Sequence, residues 1–144
     1  MTPNQALTAL QGFISMGQLR VITAGCRGEE GDYFRAKLTE YGERIAAMPK
    51  TYDQGDLGEQ AVISLHYFIG GCDWYITERD IDEDGEGQIQ AFGLADLFGD
   101  GGEIGYISIP EILANGGELD LHFAPCTLAE VKADRVAARE FDAA

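Results

Sequence analysis

The chain has little cysteine, a single tryptophan and no long apolar run. Its three cysteines, Cys26, Cys72 and Cys126, are odd in number and form no C-x-x-C pair, so neither a disulfide framework nor the spacing of a zinc site is present. No stretch approaches the roughly 18 apolar residues of a membrane-spanning helix, and the first residues lack the basic-then-apolar pattern of a secretion signal. We therefore expect a reduced, cytoplasmic protein with no membrane partner.

Basic residues are scarce, and their scarcity is confined to one part of the chain. The formal net charge is −15. Residues 51–124 contain sixteen acidic side chains and one basic one, Arg79, whereas residues 1–50 and 125–144 are each close to neutral. The negative electrostatic field of this segment repels nucleic acid and favours a basic protein surface as the partner. Solubility in the cell interior is the alternative explanation of the same charge.

The length and composition indicate one globular domain. The chain has 144 residues, of which 45% are hydrophobic and 24% are charged. A domain of this size buries roughly 70% of the surface of its unfolded chain, so it needs no disulfide or metal to be stable. We therefore predict a single domain over residues 1–144, with a helical N-terminal part over residues 1–50.

The central feature is a β-hairpin predicted over Ala61–Glu78. Two runs of β-branched and aromatic residues flank Gly70-Gly71, and a two-residue glycine link suits the turns that match strand twist. Because strand side chains alternate with period two, the register follows, and one face, which includes Trp74, is apolar core. The predicted pairs on the apolar face are Ile69 with Cys72, Tyr67 with Trp74, Leu65 with Ile76 and Ile63 with Glu78. Those on the other face are Phe68 with Asp73, His66 with Tyr75, Ser64 with Thr77 and Val62 with Arg79.

Helices and strands are predicted on both sides of this hairpin. Capping residues, helical spacing and period-two alternation favour an α+β fold, in which helices pack on one face of an antiparallel sheet of about four to five strands. The predicted elements before the hairpin are a helix from Thr2 to about Gly17, a short strand at Leu19–Thr23, a glycine-rich loop at 24–32 and a helix over Phe34–Met48. Those after it are strands at Gln88–Leu94 and Glu103–Ser108, a short helix capped by Ser108, a strand over Leu119–Phe123 and a helix from Thr127 to about Phe141.

An acidic turn follows the hairpin. Its acidic residues are Asp80, Asp82, Glu83, Asp84 and Glu86. The D-x-D-x-D-G order resembles the start of a calcium loop, but position twelve is Ala91 instead of a bidentate glutamate, so a solvated turn is favoured and no metal or cofactor is expected. Because five neighbouring carboxylates repel one another, we predict that they meet a basic surface on another protein.

A polar cluster on the hairpin supplies the weaker, catalytic hypothesis. His66 and Tyr75 are predicted side by side with Asp73 diagonal to His66, and His122 could join them from the last strand. Imidazole, phenol and carboxylate within reach of one another can perform acid–base chemistry. Ordinary cross-strand contacts explain the same pairs, and Cys26 beside Arg27 matches no nucleophile motif.

Four segments resemble a known family. They are WYITERD at 74–80, QAFGLADL at 90–97, EIGYISIPEIL at 103–113 and ELDLHFAP followed by TLAEV at 118–131. In order and spacing they are similar to the bacterial domain-of-unknown-function family 2958, over roughly residues 61–131. The resemblance implies a protein of plasmids, phages or integrating elements, and it carries over no catalytic residue.

Two functions follow as hypotheses. The first is a non-enzymatic inhibitor or adaptor that acts on a host or defence protein, of restriction or CRISPR type, through its acidic 51–124 region. Carboxylates can imitate the phosphates of a duplex, so a nucleic-acid-binding protein is one such partner. The alternative is a small enzyme or ligand-binding domain that uses His66, Asp73 and Tyr75. The absence of a catalytic motif favours the first.

Overall fold

The computed structural model describes residues 1–82 and 88–143. Within these residues the chain forms five α-helices, a short 3₁₀ turn and seven β-strands. The helices are α1 (Pro3–Leu10), α2 (Met16–Gly25), α3 (Gly31–Ala47), α4 (Ile109–Ala114) and α5 (Leu128–Ala143), and the 3₁₀ turn is Gly58–Gln60. The strands are β1 (Val62–Ile63), β2 (Leu65–Ile69), β3 (Cys72–Glu78), β4 (Ala91–Asp96), β5 (Glu103–Ile107), β6 (Glu118–Leu119) and β7 (Cys126–Thr127).

The predicted hairpin register is confirmed over β2 and β3. Ile69 pairs with Cys72, and the pairing continues through His66 with Tyr75 to Leu65 with Ile76. Beyond Ser64 the prediction is wrong, because Val62 and Ile63 leave the hairpin and pair with Thr127 and Cys126 of β7 instead of Arg79 and Glu78. The main sheet has the antiparallel order β5-β4-β3-β2-β6.

The fold is α+β, as predicted, but helices cover both faces of the sheet. One face, here called the N-terminal face, carries Leu65, Tyr67 and Ile76 and packs on side chains of α1 to α4. The opposite face, here called the C-terminal face, carries Tyr75 and Leu94, which pack with Leu128 and Val131 of α5. The expectation of one covered face is therefore wrong, since α5 packs on the face opposite the predicted apolar one.

The N-terminal part contains three helices and no strand. Leu19–Thr23 lies inside α2, whose N-terminus is capped by Ser15 Oγ accepting from the Gln18 N–H at 3.1 Å. The first helix ends at Leu10, because Gly12 has a positive φ of 83° that turns the chain. The helix predicted over Phe34–Met48 is confirmed as α3, which ends at Ala47 just before Pro49.

The strands and helices after the hairpin follow the prediction with two shifts. The predicted strand Gln88–Leu94 forms instead at Ala91–Asp96, and the predicted strand Leu119–Phe123 is reduced to Glu118–Leu119. α4 begins at the Ser108 cap as predicted. α5 begins after a capping box in which the Glu130 N–H donates to Thr127 Oγ1 at 3.2 Å.

No helix in the part of the chain that the structure describes is both long enough and apolar enough to span a bilayer.

Candidate functional site

The predicted polar cluster forms on the C-terminal face of the hairpin. Cross-strand pairing stacks the His66 ring on the Tyr75 ring, with centroids 4.6 Å apart and planes at 8°. Asp73, diagonal to His66, accepts a hydrogen bond at 2.8 Å between its Oδ1 and His66 Nε2. The His66 side chain is 14% exposed and that of Asp73 is 22% exposed. The structure thus brings together His66, Asp73 and Tyr75, as the alternation predicted.

A second carboxylate, from Asp120, completes the surroundings of His66. Asp120 Oδ2 lies 2.9 Å from His66 Nδ1. The backbone positions it, because the Asp120 N–H donates to the His66 carbonyl at 2.8 Å just after β6 pairs with β2. An imidazolium ring carries an N–H on both nitrogens and would satisfy both carboxylates at once. Sequence reasoning assigned no role to Asp120.

His122 does not join the cluster through its imidazole. It follows β6 in a turn, its side chain is exposed, and its backbone N–H donates to Asp120 Oδ1 at 2.9 Å. His122 therefore helps to orient Asp120 through the backbone. The prediction that its ring joins His66 is wrong, because β6 ends at Leu119 and the expected alternation stops there.

Arg135 of α5 links this cluster to Asp96 at the end of β4. Its Nη1 donates to the Tyr75 hydroxyl at 3.0 Å and to Asp73 Oδ2 at 3.3 Å. Its Nε and Nη2 lie 2.6 and 2.5 Å from Asp96 Oδ2. The guanidinium thus connects three residues of β3 and β4 to one helix. No local sequence signal identified Arg135, since it lies about 60 residues from Asp73 along the chain.

Asp96 is the most buried member of the network, with 0% exposure. Burial on its own would raise the pKa of its carboxyl group. The Arg135 hydrogen bond and charge, together with the N–H groups of Gly99 and Gly101, outweigh burial and hold the pKa of Asp96 below its usual range. The two glycine N–H groups donate at 2.8 and 3.2 Å, so Asp96 also shapes the loop between β4 and β5.

Tyr75 is held as a neutral phenol. Burial is the main cause that raises the pKa of Tyr75, and the nearby charge of Asp73 adds to it, while Arg135 acts in the opposite direction. The phenol oxygen therefore accepts from Arg135 instead of acting as a base near neutral pH. Each polar group of the network already has a partner within it, which is the arrangement of a structural contact between sheet and helix.

The acidic turn is described only in part. Asp80 is 6% exposed, and its carboxylate accepts from the N–H groups of Asp82 and Gln90 at 2.9 and 3.0 Å. Asp80 therefore organises the turn from inside, whereas the Asp82 side chain is exposed. Glu83, Asp84 and Glu86 lie outside the described residues. Among the described His, Cys, Asp and Glu residues, no group of three or more is placed to hold a metal ion.

Several large apolar side chains are exposed at the β4–β5 end of the sheet. Four of them belong to β5 and the loop before it: Leu97 (42%), Phe98 (86%), Ile104 (44%) and Tyr106 (57%). On the N-terminal face beside them is a groove of about 350 Å³. It is lined by Trp74, Ala95, Ile107, Glu111, Ile112 and Asn115, among others.

Trp74 belongs to this groove as well as to the core. It packs against the N-terminal core cluster, as its predicted face requires, but it is only half-buried. Its cross-strand neighbour on the β2 side is the large Tyr67, whereas on the β4 side it meets the small Ala95 and then Glu103 at the edge. Sequence alternation identified the face of Trp74 and missed the groove.

Comparisons with known proteins add no assignment. No family model, no curated protein and no solved structure matches this chain. The resemblance to the domain-of-unknown-function family 2958 therefore stays a prediction, and the function must be argued from the residues themselves.

Proposed function

We propose that this protein is a non-enzymatic inhibitor or adaptor that binds a basic surface of another protein through its acidic 51–124 region. The observation that carries the proposal is the exposure of four large apolar side chains, Leu97, Phe98, Ile104 and Tyr106, in β5 and the loop before it. Large apolar side chains that stay exposed among polar ones often mark a protein–protein interface. These side chains lie within the acidic segment, and the neighbouring carboxylates of Asp100, Glu103 and Glu111 are exposed.

The polar network supports binding over catalysis. A general base needs a free position toward a substrate, but His66 has a carboxylate on each ring nitrogen and Arg135 is shared among three acceptors. These groups hold α5 on the sheet and shape the loop that carries Phe98. The network thus helps to position the exposed Phe98 through this loop.

Charge defines the class of partner. Eight of the sixteen acidic side chains in residues 51–124 are exposed in the described part of the chain. Such a surface attracts basic protein surfaces over several ångströms and raises association rates. The resemblance to a mobile-element family favours a host or defence protein as the target, for which a nucleic-acid-binding protein offers the required basic groove.

The test removes charge from the acidic turn and measures how strongly the protein binds its partner. The variant replaces three neighbouring residues: Asp82→Asn, Glu83→Gln and Asp84→Asn. We expect normal folding and weaker capture of a stoichiometric partner from host extract, confirmed with the purified partner by calorimetry. The loss should be largest at low salt, because the screening length is about 30 Å at 0.01 M and about 8 Å at 0.15 M.

A charge-matched variant controls for net charge. It neutralises three exposed acidic residues of the N-terminal part: Glu29→Gln, Glu30→Gln and Asp32→Asn. This variant should bind like the wild type. If the two variants bind the partner equally well at low salt, the acidic turn is only a solvated loop. If no partner is retained at any salt concentration, the proposed function is refuted.

A further inference from the structure

We propose that the outer edge of β5 binds an extended segment of the partner, in which basic and apolar residues alternate, as an additional strand of the sheet. The inference rests on the proposed function and names the part of the partner that is recognised. Strand addition to an open sheet edge derives affinity from main-chain hydrogen bonds and specificity from alternate side chains. Both requirements are met along Glu103–Ile107.

The outer edge of β5 is open. Among the described residues β5 pairs with β4 alone, so one row of its backbone N–H and C=O groups faces away from the sheet. Edge strands usually carry charges, prolines or bulges that prevent pairing. β5 carries one charge, that of Glu103 at its start, and no proline. It presents Ile104 and Tyr106 at 44% and 57% exposure, and no register shift interrupts its pairing with β4.

The N-terminal face of this edge favours a basic side chain. Trp74, Ala95 and Glu103 are successive cross-strand partners and share this face, which places a carboxylate at the edge and an indole ring behind it. The next residue of β5 on this face, Gly105, has open space where a Cβ would be. The side chain of a lysine or arginine in an added strand could extend over Gly105 into the groove. There Glu111 supplies a second carboxylate, and Trp74 supplies an aromatic ring for a cation–π contact.

The C-terminal face of the same edge favours an apolar side chain. Ile104 and Tyr106 lie on this face, across from Leu94 and Phe92 of β4. The Tyr106 and Tyr52 hydroxyls are 2.9 Å apart, and this hydrogen bond fixes the Tyr106 ring beside the strand. Residues of an added strand alternate between the two faces, so its basic and apolar residues must alternate too.

A partner segment fits this edge better than a second copy of the chain does. Pairing β5 with β5 would bring together two molecules of net charge −15 and two copies of Glu103 on a narrow edge. Like charges placed together at an interface disfavour it. A basic segment instead gains from the same carboxylates.

The experiment uses a synthetic nine-residue peptide of alternating arginine and valine and the full-length protein. The single tryptophan, Trp74, reports binding by fluorescence, and amide hydrogen exchange reports on Glu103–Ile107. We expect saturable binding with protection of these amides. A peptide of the same composition with its arginines and valines in separate blocks should bind at least tenfold more weakly.

Backbone methylation tests strand pairing directly. Two further peptides carry N-methyl groups on the odd or on the even residues, which removes the N–H donors of one edge or of the other. One of the two should lose at least tenfold in affinity and the other should lose little. Equal binding by both peptides would overturn strand addition, because contacts made by side chains alone do not depend on the methylated edge.

Variants of the chain locate the site. Ile104→Lys adds a charge to the edge and should lower the affinity for the alternating peptide at least tenfold. Val21→Lys, at an exposed position of α2, should leave this affinity unchanged. If the partner captured from host extract binds Ile104→Lys as it binds the wild type, the β5 inference fails while the proposed function stands. If the alternating and block peptides bind equally, or neither binds, the inference also fails, and the partner experiment decides the proposed function independently.

Discussion

Removing the Arg135 guanidinium should destabilise the fold through the carboxylate that it leaves behind. Arg135→Met keeps the aliphatic part of the side chain and deletes the contacts with Asp96, Asp73 and the Tyr75 hydroxyl. Asp96 is 0% exposed and would remain as a buried charge. Breaking a buried ion pair by removing one partner costs about 3–5 kcal/mol. We expect the lower end, about 3 kcal/mol, because Gly99 and Gly101 still donate to Asp96.

The double variant Arg135→Met/Asp96→Asn tests the reason for the loss. Since Asp96 no longer leaves an unpaired carboxylate, the double variant should be more stable than Arg135→Met alone. A double-mutant cycle of Arg135→Met and Asp96→Asn should give a coupling free energy of about 1–3 kcal/mol. Urea unfolding followed by Trp74 fluorescence and circular dichroism measures both quantities. Arg139→Met removes an exposed arginine of the same helix and should change the free energy of unfolding by under about 0.5 kcal/mol.

The pH dependence of the same variant has a defined sign. Because the pKa of folded Asp96 lies below its unfolded value, its stabilising contribution is present above about pH 4 and is lost as the pH falls toward the folded pKa. The difference in unfolding free energy between the wild type and Arg135→Met should therefore shrink as the pH is lowered through about 4. A loss under about 1 kcal/mol at pH 7, or a difference that grows in acid, would refute the reasoning.

Two further substitutions follow from the sheet. Gly93→Ala should cost about 3 kcal/mol or more in urea unfolding, because its Cβ would meet the backbone of Tyr75, whereas Gly105→Ala points into open space and should fold normally. Similar stability of the two variants would contradict this close packing of β4 on β3. Trp74→Ala should cost about 1–2 kcal/mol, less than the about 3–5 kcal/mol of a fully buried large aromatic, since the ring is half-buried beside the groove. A loss above about 3 kcal/mol would contradict this half-buried position of the indole ring.

The parts of the fold that depend on local chemistry could be predicted. The Gly70-Gly71 link and the alternation around it determined the register of β2 and β3, and with it the meeting of His66, Asp73 and Tyr75. Capping residues located the starts of α4 and α5. Leu19–Thr23 was misassigned as a strand because its β-branched residues favour one, while the Ser15 cap and packing of Ile22 in the core place it in a helix.

The sequence by itself determined the hairpin, the helix caps and the confinement of charge to residues 51–124, because each depends on neighbours in the chain or on composition. Only the tertiary structure decided which face α5 covers. That choice places Arg135 on Asp96. The order of the strands, also a tertiary property, leaves the β5 edge open. The pairing of β6 with β2 brings Asp120 to His66, through a backbone hydrogen bond between residues 54 positions apart. Contacts of this kind follow from how layers pack, and no short stretch of sequence encodes them.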